Sequence, residues 1–473
     1  MATIAARVRK PRTACDQCYR LKERCTRAST VTVCTRCSRL DLVCSTVRPV
    51  RPAGRRPRCR TQSVSGTTSS QSNTAGGPVD TDVSSWLRDI PNHDLPAEEK
   101  ELMMFLLGRP ENLECLVMGP SFQAAEQRSL AAPLPAALPI LKDAYLAFAA
   151  SLKSLQSGGT ATEEARSTSL RHASSAMKTL RSLPVVTPQD AALCLALGTT
   201  LASFVYSAIG VGLADICHYC LSTTSLFLET TMPDPDTEPW QSFLILLEIM
   251  DCLVHRQKPT LRIPLRKLER IDRRVGLCLP LLPHYYDLCV ISHSLANTTD
   301  ASYLARIHKQ LDKTQAAIAE WLPSPSLHLV DEFDSAEIVN LLAQARIYRL
   351  AALLVSHRLR HMFGDEDGQA DIWSKEIMME LELARRITRR SVQCVTLPFL
   401  VAAVEVRATD ARLGTLRNVD HYVDRFTPVL QQAGRIFLTR VWSERDGKAT
   451  SCWFDSIWKP CPVLHSIDAA CTV

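Results

Sequence analysis

Over most of its length, from residue 96 onward, the chain repeats one rhythm: apolar residues recur at three- and four-residue intervals with polar and charged ones between them. That period places the apolar positions on one face of an α-helix. The runs 301–321, 335–361 and 419–442 follow it, and strand-like alternation is scarce. Two further segments carry their own start signals. TPQDAALCLALG supplies Thr187 as an N-cap, Pro188 at the first helical position and Asp190 to complete a capping box. TEPWQSFLILLEIMDCLVHR repeats that opening with Thr237, Glu238 and Pro239. Proline-rich pieces, MPDPDTEP at 232–239 and LPSPSLH at 322–328, mark turns between helices. The expected fold class is therefore all-α, with a body at 96–473 long enough for one large domain or two closely associated ones.

The rhythm fails ahead of that body. Residues 61–83, TQSVSGTTSSQSNTAGGPVDTDV, are poor in apolar side chains and rich in Ser, Thr and Gly, so 45–95 reads as a basic and then flexible linker. No seam of a and d positions runs through it, so no coiled coil is expected there. The adjoining SSWLRDIPNHDLPAEEKELMMFLL, 84–107, mixes acidic and bulky apolar residues and fits either an activation segment or an amphipathic helix at the domain edge. Residues 191–214 hold no charged side chain, long enough to span a membrane. Five small or hydroxyl-bearing residues dilute the stretch and no Lys or Arg cluster lies beside it, so a core helix is expected and no membrane partner.

Charge changes the picture at the other end. Residues 1–60 contain sixteen Lys and Arg against Asp16, Glu23 and Asp41, a net of +13, while the whole chain carries +6 and the remainder −7. The basicity is confined to the N-terminal end, as in a nucleic-acid-binding module joined to an ordinary soluble body. Within it, CDQCYRLKERC (15–25) and CTRCSRLDLVC (34–44) are near-copies: CxxC, six residues, a third Cys. Six thiols can serve one zinc with two to spare, three disulfides, or two zincs. Two tetrahedral zincs need eight ligand positions, which six sulfurs fill only if two of them bridge. The opening MATIAARVRKPRTAC has neither the apolar run nor the cleavage site of a secretory signal, so metal ligation is favoured over disulfides.

On these residues the chain resembles the fungal binuclear zinc-cluster transcription factors, ligand for ligand at Cys15, Cys18, Cys25, Cys34, Cys37 and Cys44. The resemblance implies two zinc ions bridged by Cys15 and Cys34. It also implies a short helix after Cys18 that presents Lys22 to base edges, with Arg20 and Arg24 on phosphate or bases. Lys and Arg are the donors that suit guanine O6 and N7, and further cations suit the backbone. The basic runs 7–12, with Lys10 and Arg12, and 48–60 are expected to be a solvated arm serving backbone contact and nuclear import. Where the family commonly has proline two residues before the fourth cysteine, this chain has Thr32, which implies a looser loop. Segments 347–364, 395–406 and 440–458 resemble the fungal-specific regulatory domain that follows the cluster in that family.

The expected organisation is a basic arm at 1–14, the zinc cluster at 15–44, the linker at 45–95 and the helical regulatory body at 96–473. The implied function is a nuclear, sequence-specific regulator of RNA polymerase II genes on GC-rich double-stranded DNA with CGG-like triplets. Its partners would be the transcription machinery or co-regulators, with a homodimer left open. By analogy alone the chain fits a pathway-specific regulator of a secondary-metabolite gene cluster. The competing readings are a helical body that is an enzyme targeted by the cluster, and a cluster that is a protein-interaction module. No HExxH, phosphate loop or nucleophile elbow supports an enzyme, and no catalytic residues are expected. CHYC at 217–220 has ordinary core spacing, the acidic triplet Asp365, Glu366, Asp367 reads as a solvated loop, and His255, His284 and His361 as surface or satisfied core residues. Cys452, Cys461 and Cys471 are too loosely spaced to argue a site.

Overall fold

The computed structural model describes residues 15, 18, 25–26, 33–40, 42, 44–45, 95–156, 163–230, 238–263, 271–297, 300–323, 329–450 and 452–453. The chain divides into two compact units, Met1–Gly77 and Pro78–Val473. The small unit contains one described helix, α1 (Thr35–Arg39). The described elements of the large unit are helices, and among the described residues there is no strand, only a single antiparallel bridge between Asp272 and Gly276.

The order in the large unit is α2 (Ala97–Gly108), a 3-10 helix (Pro110–Leu116), α3 (Pro120–Ala131), α4 (Leu134–Gln156), α5 (Glu163–Ser182), α6 (Pro188–Ala208), α7 (Leu213–Thr230) and α8 (Glu238–His255). A 3-10 turn (Leu279–Leu281) leads into α9 (Leu282–Ala296), followed by α10 (Ala301–Glu320), the short α11 (Leu329–Glu332), α12 (Ser335–Arg358), α13 (Asp367–Thr388), α14 (Thr396–Ala403), α15 (Thr409–Tyr422) and α16 (Pro428–Asp446). The all-α expectation holds. The α4 helix lies along α5 and α6, α7 continues the layer onto α8, and α12 is flanked by α10, α13 and α14.

The predicted helix starts explain themselves in hydrogen bonds. Thr187 Oγ1 accepts from the Asp190 amide at 3.1 Å while Asp190 Oδ2 accepts from the Thr187 amide at 2.9 Å, so α6 opens with a reciprocal capping box and Pro188 in its first turn. The α8 helix starts at Glu238, and Thr237 lies outside the described residues. The 335–361 expectation is met by α12 up to Arg358, and 301–321 by α10. Of 84–107, the second half forms α2, with Met103, Leu106 and Leu107 buried, which is the amphipathic-helix alternative for that half.

The uncharged stretch 191–214 is divided rather than continuous. The α6 helix ends at Ala208, and Gly210 and Gly212 take positive φ of 79° and 76° before α7 begins, a conformation glycine adopts without a Cβ penalty. Most of its apolar window, 83 %, is buried inside the body, as a core helix requires. The α6 helix also approaches α7 closely at Gly198, where a Cβ would run into the Cys220 thiol.

The run 419–442 is not one helix. It breaks into α15 and α16 at residues 423–427, because Pro428 disfavours helical backbone in the residue before it and Val423 is already extended (φ −88°, ψ 132°). Asp424 fastens the break: its carboxylate accepts from the Tyr206 hydroxyl at 2.6 Å, and its amide donates to Thr396 Oγ1 at 3.3 Å. Apolar spacing alone carried the prediction across a proline that ended it.

The acidic triplet meets the loop expectation at Asp365 and Glu366, which are exposed ahead of α13, and departs from it at the third residue. Asp367 is the first residue of α13, and its Oδ1 accepts from Arg358 Nη2 at 2.7 Å, its Oδ2 from the Gly364 amide at 2.9 Å. Arg358 is fully buried and also bonds Glu405 through Nε at 2.9 Å and Nη2 at 2.7 Å. Its guanidinium lies 5.0 Å from the Phe363 ring centroid, and Arg445 reaches the same ring at 5.5 Å. Arg445 in turn donates to the carbonyls of Val404 and Val406, both at 2.7 Å, and Trp442 donates to Ala403 O at 3.1 Å. The Cys452 thiol lies 3.7 Å from Arg358 O. Segments 347–364, 395–406 and the described part of 440–458 thus meet around one buried guanidinium.

Candidate metal centre

The CxxC spacing fixes the local geometry of each half of the small unit. In each, the first cysteine's sulfur accepts from the amide three residues on, Cys18 N to Cys15 Sγ and Cys37 N to Cys34 Sγ, both at 3.4 Å. In each, the first cysteine's amide donates to the sulfur ten residues on, Cys15 N to Cys25 Sγ at 3.3 Å and Cys34 N to Cys44 Sγ at 3.4 Å. The sequence repeat is therefore a structural repeat. In the second half the CxxC cysteines belong to α1, whose N-cap is Cys34 itself and whose only buried residue is Cys37. Thr26 and Thr35 join the halves through a 2.6 Å hydroxyl contact and a 3.1 Å bond from the Thr35 amide to Thr26 O.

Between halves, Cys15 Sγ lies 3.8 Å from Cys34 Sγ and 3.7 Å from Cys37 Sγ, and Cys18 Sγ lies 3.7 Å from Cys34 Sγ. A disulfide needs about 2.05 Å, and none forms among the described cysteines. With zinc–sulfur bonds of about 2.3 Å, the edge of a coordination tetrahedron is about 3.8 Å. The inter-half contacts have that length. All four sulfurs of Cys15, Cys18, Cys34 and Cys37 lie within 4.8 Å of one another and all four residues are buried, the one such grouping of His, Cys, Asp and Glu among the described residues. Cys25, Leu42 and Cys44 sit half-buried against them.

Among the described residues the core of this unit is thus sulfur rather than hydrocarbon, and burial of apolar surface among them cannot hold it together. Crowding decides the protonation states. Burial opposes ionisation of Cys15, but hydrogen bonds from the Cys18 amide and from neighbouring thiols bring its pKa down to about 6. The Cys37 amide lowers that of Cys34. Burial and the neighbouring sulfurs push Cys18 up to about 12 and raise Cys37 as well. Without a cation the sulfurs cannot all ionise together, whereas a divalent soft-ligand metal at their centre removes that conflict. The arrangement fits a thiolate metal centre.

Lys22, Arg20, Arg24, Arg12 and Lys10 lie outside the described residues, as do Thr32 and the helix expected after Cys18. Two cations that sequence reasoning passed over are described. Arg36 and Arg39 sit on α1, Arg39 exposed. The nineteen-residue offset between the halves was the available signal, since it places Arg39 at the position equivalent to Arg20.

CHYC is not a second centre. Cys217 and Cys220 are fully buried in the α7 core, with the Cys217 thiol pushed well up by burial, while His218 faces outward to Thr260 Oγ1 at 2.7 Å. His255 is held by Asp251 at 3.2 Å, and His361 by Asp365 at 2.9 Å. Cys452 is buried, and Cys461 and Cys471 lie outside the described residues.

Compared with known protein families, curated proteins and solved structures, the chain matches none.

Proposed function

We propose that the protein is a nuclear, sequence-specific DNA-binding regulator of transcription, whose small unit is a binuclear zinc cluster of the fungal six-cysteine kind and whose helical body regulates it. The observation that carries the metal reading is the set of three inter-half sulfur contacts at the tetrahedral edge length. They are the edges a two-zinc cluster bridged by Cys15 and Cys34 requires: Cys18 with Cys34 on one ion, Cys15 with Cys37 on the other, Cys15 with Cys34 shared. Cys25 and Cys44, whose sulfurs accept from the amides of Cys15 and Cys34, would supply the remaining ligand of each ion. Zinc supplies a rigid centre that fixes the polypeptide around it, which a segment of this size lacks otherwise.

DNA is supported by the +13 charge of residues 1–60. In this reading Lys22 reads bases in a GC-rich site, and Arg20, Arg24, Arg12 and Lys10 contact bases or phosphates. Co-regulators and a second copy of the chain are the proposed partners, and pathway-specific control of a gene cluster the proposed setting.

Zinc content per chain separates this from a single-zinc site built on the four buried cysteines. The two-zinc cluster predicts two zincs per purified chain, loss of zinc at both positions in Cys34→Ser, and one retained in Cys44→Ser. One zinc per chain, indifferent to Cys25→Ser and Cys44→Ser, contradicts it.

A further inference from the structure

The helical body contains a cleft of about 750 Å³, within the range of small-molecule sites. Four separate stretches wall it: the 3-10 helix with the turn into α3, the first turns of α12, the 389–393 connection between α13 and α14, and the end of α15 with the turn after it. Val117, Met118, Val392 and Tyr422 give it apolar surface. Two of its interior acids are already committed. Glu337 Oε1 accepts from the Ser121 amide at 2.8 Å, and Asp424 accepts from the Tyr206 hydroxyl at 2.6 Å.

What remains uncommitted is specific. Asn340 is 6 % exposed, lines the cleft, and its Oδ1 has no hydrogen-bond partner. One turn further along α12, Gln344 is 0 % exposed with its Oε1 equally unpartnered, while its amide nitrogen reaches Met118 Sδ and Gln393 O of the cleft wall at 3.0 and 3.5 Å. Gln344 lies behind the lining, its Oε1 against Gly276, so Asn340 is the lining residue whose buried carbonyl oxygen lacks a donor, a costly state that a donor from the cleft's occupant would relieve. At the mouth, Arg389, Arg390 and Arg425 are exposed, and no ion pair engages them among the described residues. At the mouth these three arginines stand with Glu111 and Glu114, while Glu337 and Asp424, bonded to neutral donors, place their carboxyl groups deeper in the cleft. Asp420 is paired with Arg435.

We infer that this cleft binds a small organic anion with an apolar, aromatic or aliphatic body and a hydrogen-bond donor. Its anionic group lies among Arg389, Arg390 and Arg425, its body against Val117, Met118, Val392 and Tyr422, and its donor meets Asn340 Oδ1. The guanidinium fork suits carboxylate and sulfonate oxygens. The site does not rest on the DNA-binding reading, and its test uses no DNA, so failure of one leaves the other standing.

The test is a fluorescence titration of the zinc-loaded full chain with 6-(p-toluidino)naphthalene-2-sulfonate, an apolar anion whose one N–H and whose sulfonate stand at opposite ends of the naphthalene. N-(p-tolyl)-2-naphthylamine, which keeps the body and the N–H but lacks the anion, serves as its control. The expected result is saturable one-to-one binding of the sulfonate, with the neutral probe at least tenfold weaker. The triple variant Arg389→Asn, Arg390→Gln, Arg425→Gln should lose at least tenfold for the sulfonate and little for the neutral probe. Asparagine is chosen at 389 because the residue has φ of 58°, a conformation asparagine tolerates. Asn340→Leu, nearly isosteric, should weaken both probes several-fold. The inference is overturned by any of three results: no saturable site, equal affinity for the two probes, or sulfonate affinity unchanged in a triple variant whose circular dichroism matches wild type.

Discussion

Glu405→Gln removes one charge from the buried node while keeping its shape. Arg358 is 0 % exposed and Glu405 2 %, so each depends on the other, and after the substitution the remaining counter-charge is Asp367, which is 19 % exposed and shared with Arg407. Stripping a buried ion of its partner costs about 3–5 kcal/mol, and the surviving Asp367 places this case near 3. With a urea slope of about 3 kcal/mol/M, the unfolding midpoint falls by about 1 M. Arg358→Met should cost at least as much, because it also vacates the Met362 carbonyl, bonded at 2.9 Å, and the Phe363 ring. The double variant leaves neither charge uncompensated, so its cost should fall short of the sum of the singles by about 2 kcal/mol. The assay is urea unfolding of the full chain followed by far-ultraviolet circular dichroism, which reports the helical body. Single variants within about 1 kcal/mol of wild type, or singles that add to within about 0.5 kcal/mol, would refute the reasoning.

Two further outcomes follow from other parts of the body. Gly198→Ala should destabilise by about 1–2 kcal/mol, since the overpacking cost against Cys220 exceeds the roughly 1 kcal/mol gained from helix propensity. In a Cys220→Ala background the same change should become neutral or stabilising in thermal unfolding, and a cost unchanged by that background would discount the close approach. Glu382 is held at about 2, from an ordinary 4.5, by the hydrogen bond from Arg386, with Arg385 and Tyr422 adding theirs. A depressed carboxyl pKa stabilises the fold above the unfolded value and loses that contribution as pH falls toward the folded one. Glu382→Gln should therefore lower Tm at pH 6, with the gap to wild type closing progressively below about pH 4.5. A gap that is constant from pH 6 to pH 3 would remove Glu382 from the acid response.

How far the sequence foretold this molecule depends on the range of the interaction. Local signals were legible: the Thr187–Asp190 capping box operates over three residues, and the sulfur geometry is written in a spacing of three and ten. The break at 423–427 was locally signalled by Pro428 but overridden by the apolar period. Asp367 was illegible as anything but a loop acid, because one of its partners, Arg407, stands forty residues away. The cleft was hidden for the same reason, its floor on α12 and its mouth on three other stretches.

The most direct test of the central claim is a binding selection from a random duplex library with the zinc-loaded full chain at physiological salt, run with and without a chelator. The account predicts enrichment of a short GC-containing motif that disappears on chelation and loses its sequence preference in Lys22→Ala. A chain that retains its zinc yet enriches no sequence, or enriches the same motif after the metal is removed, would contradict it.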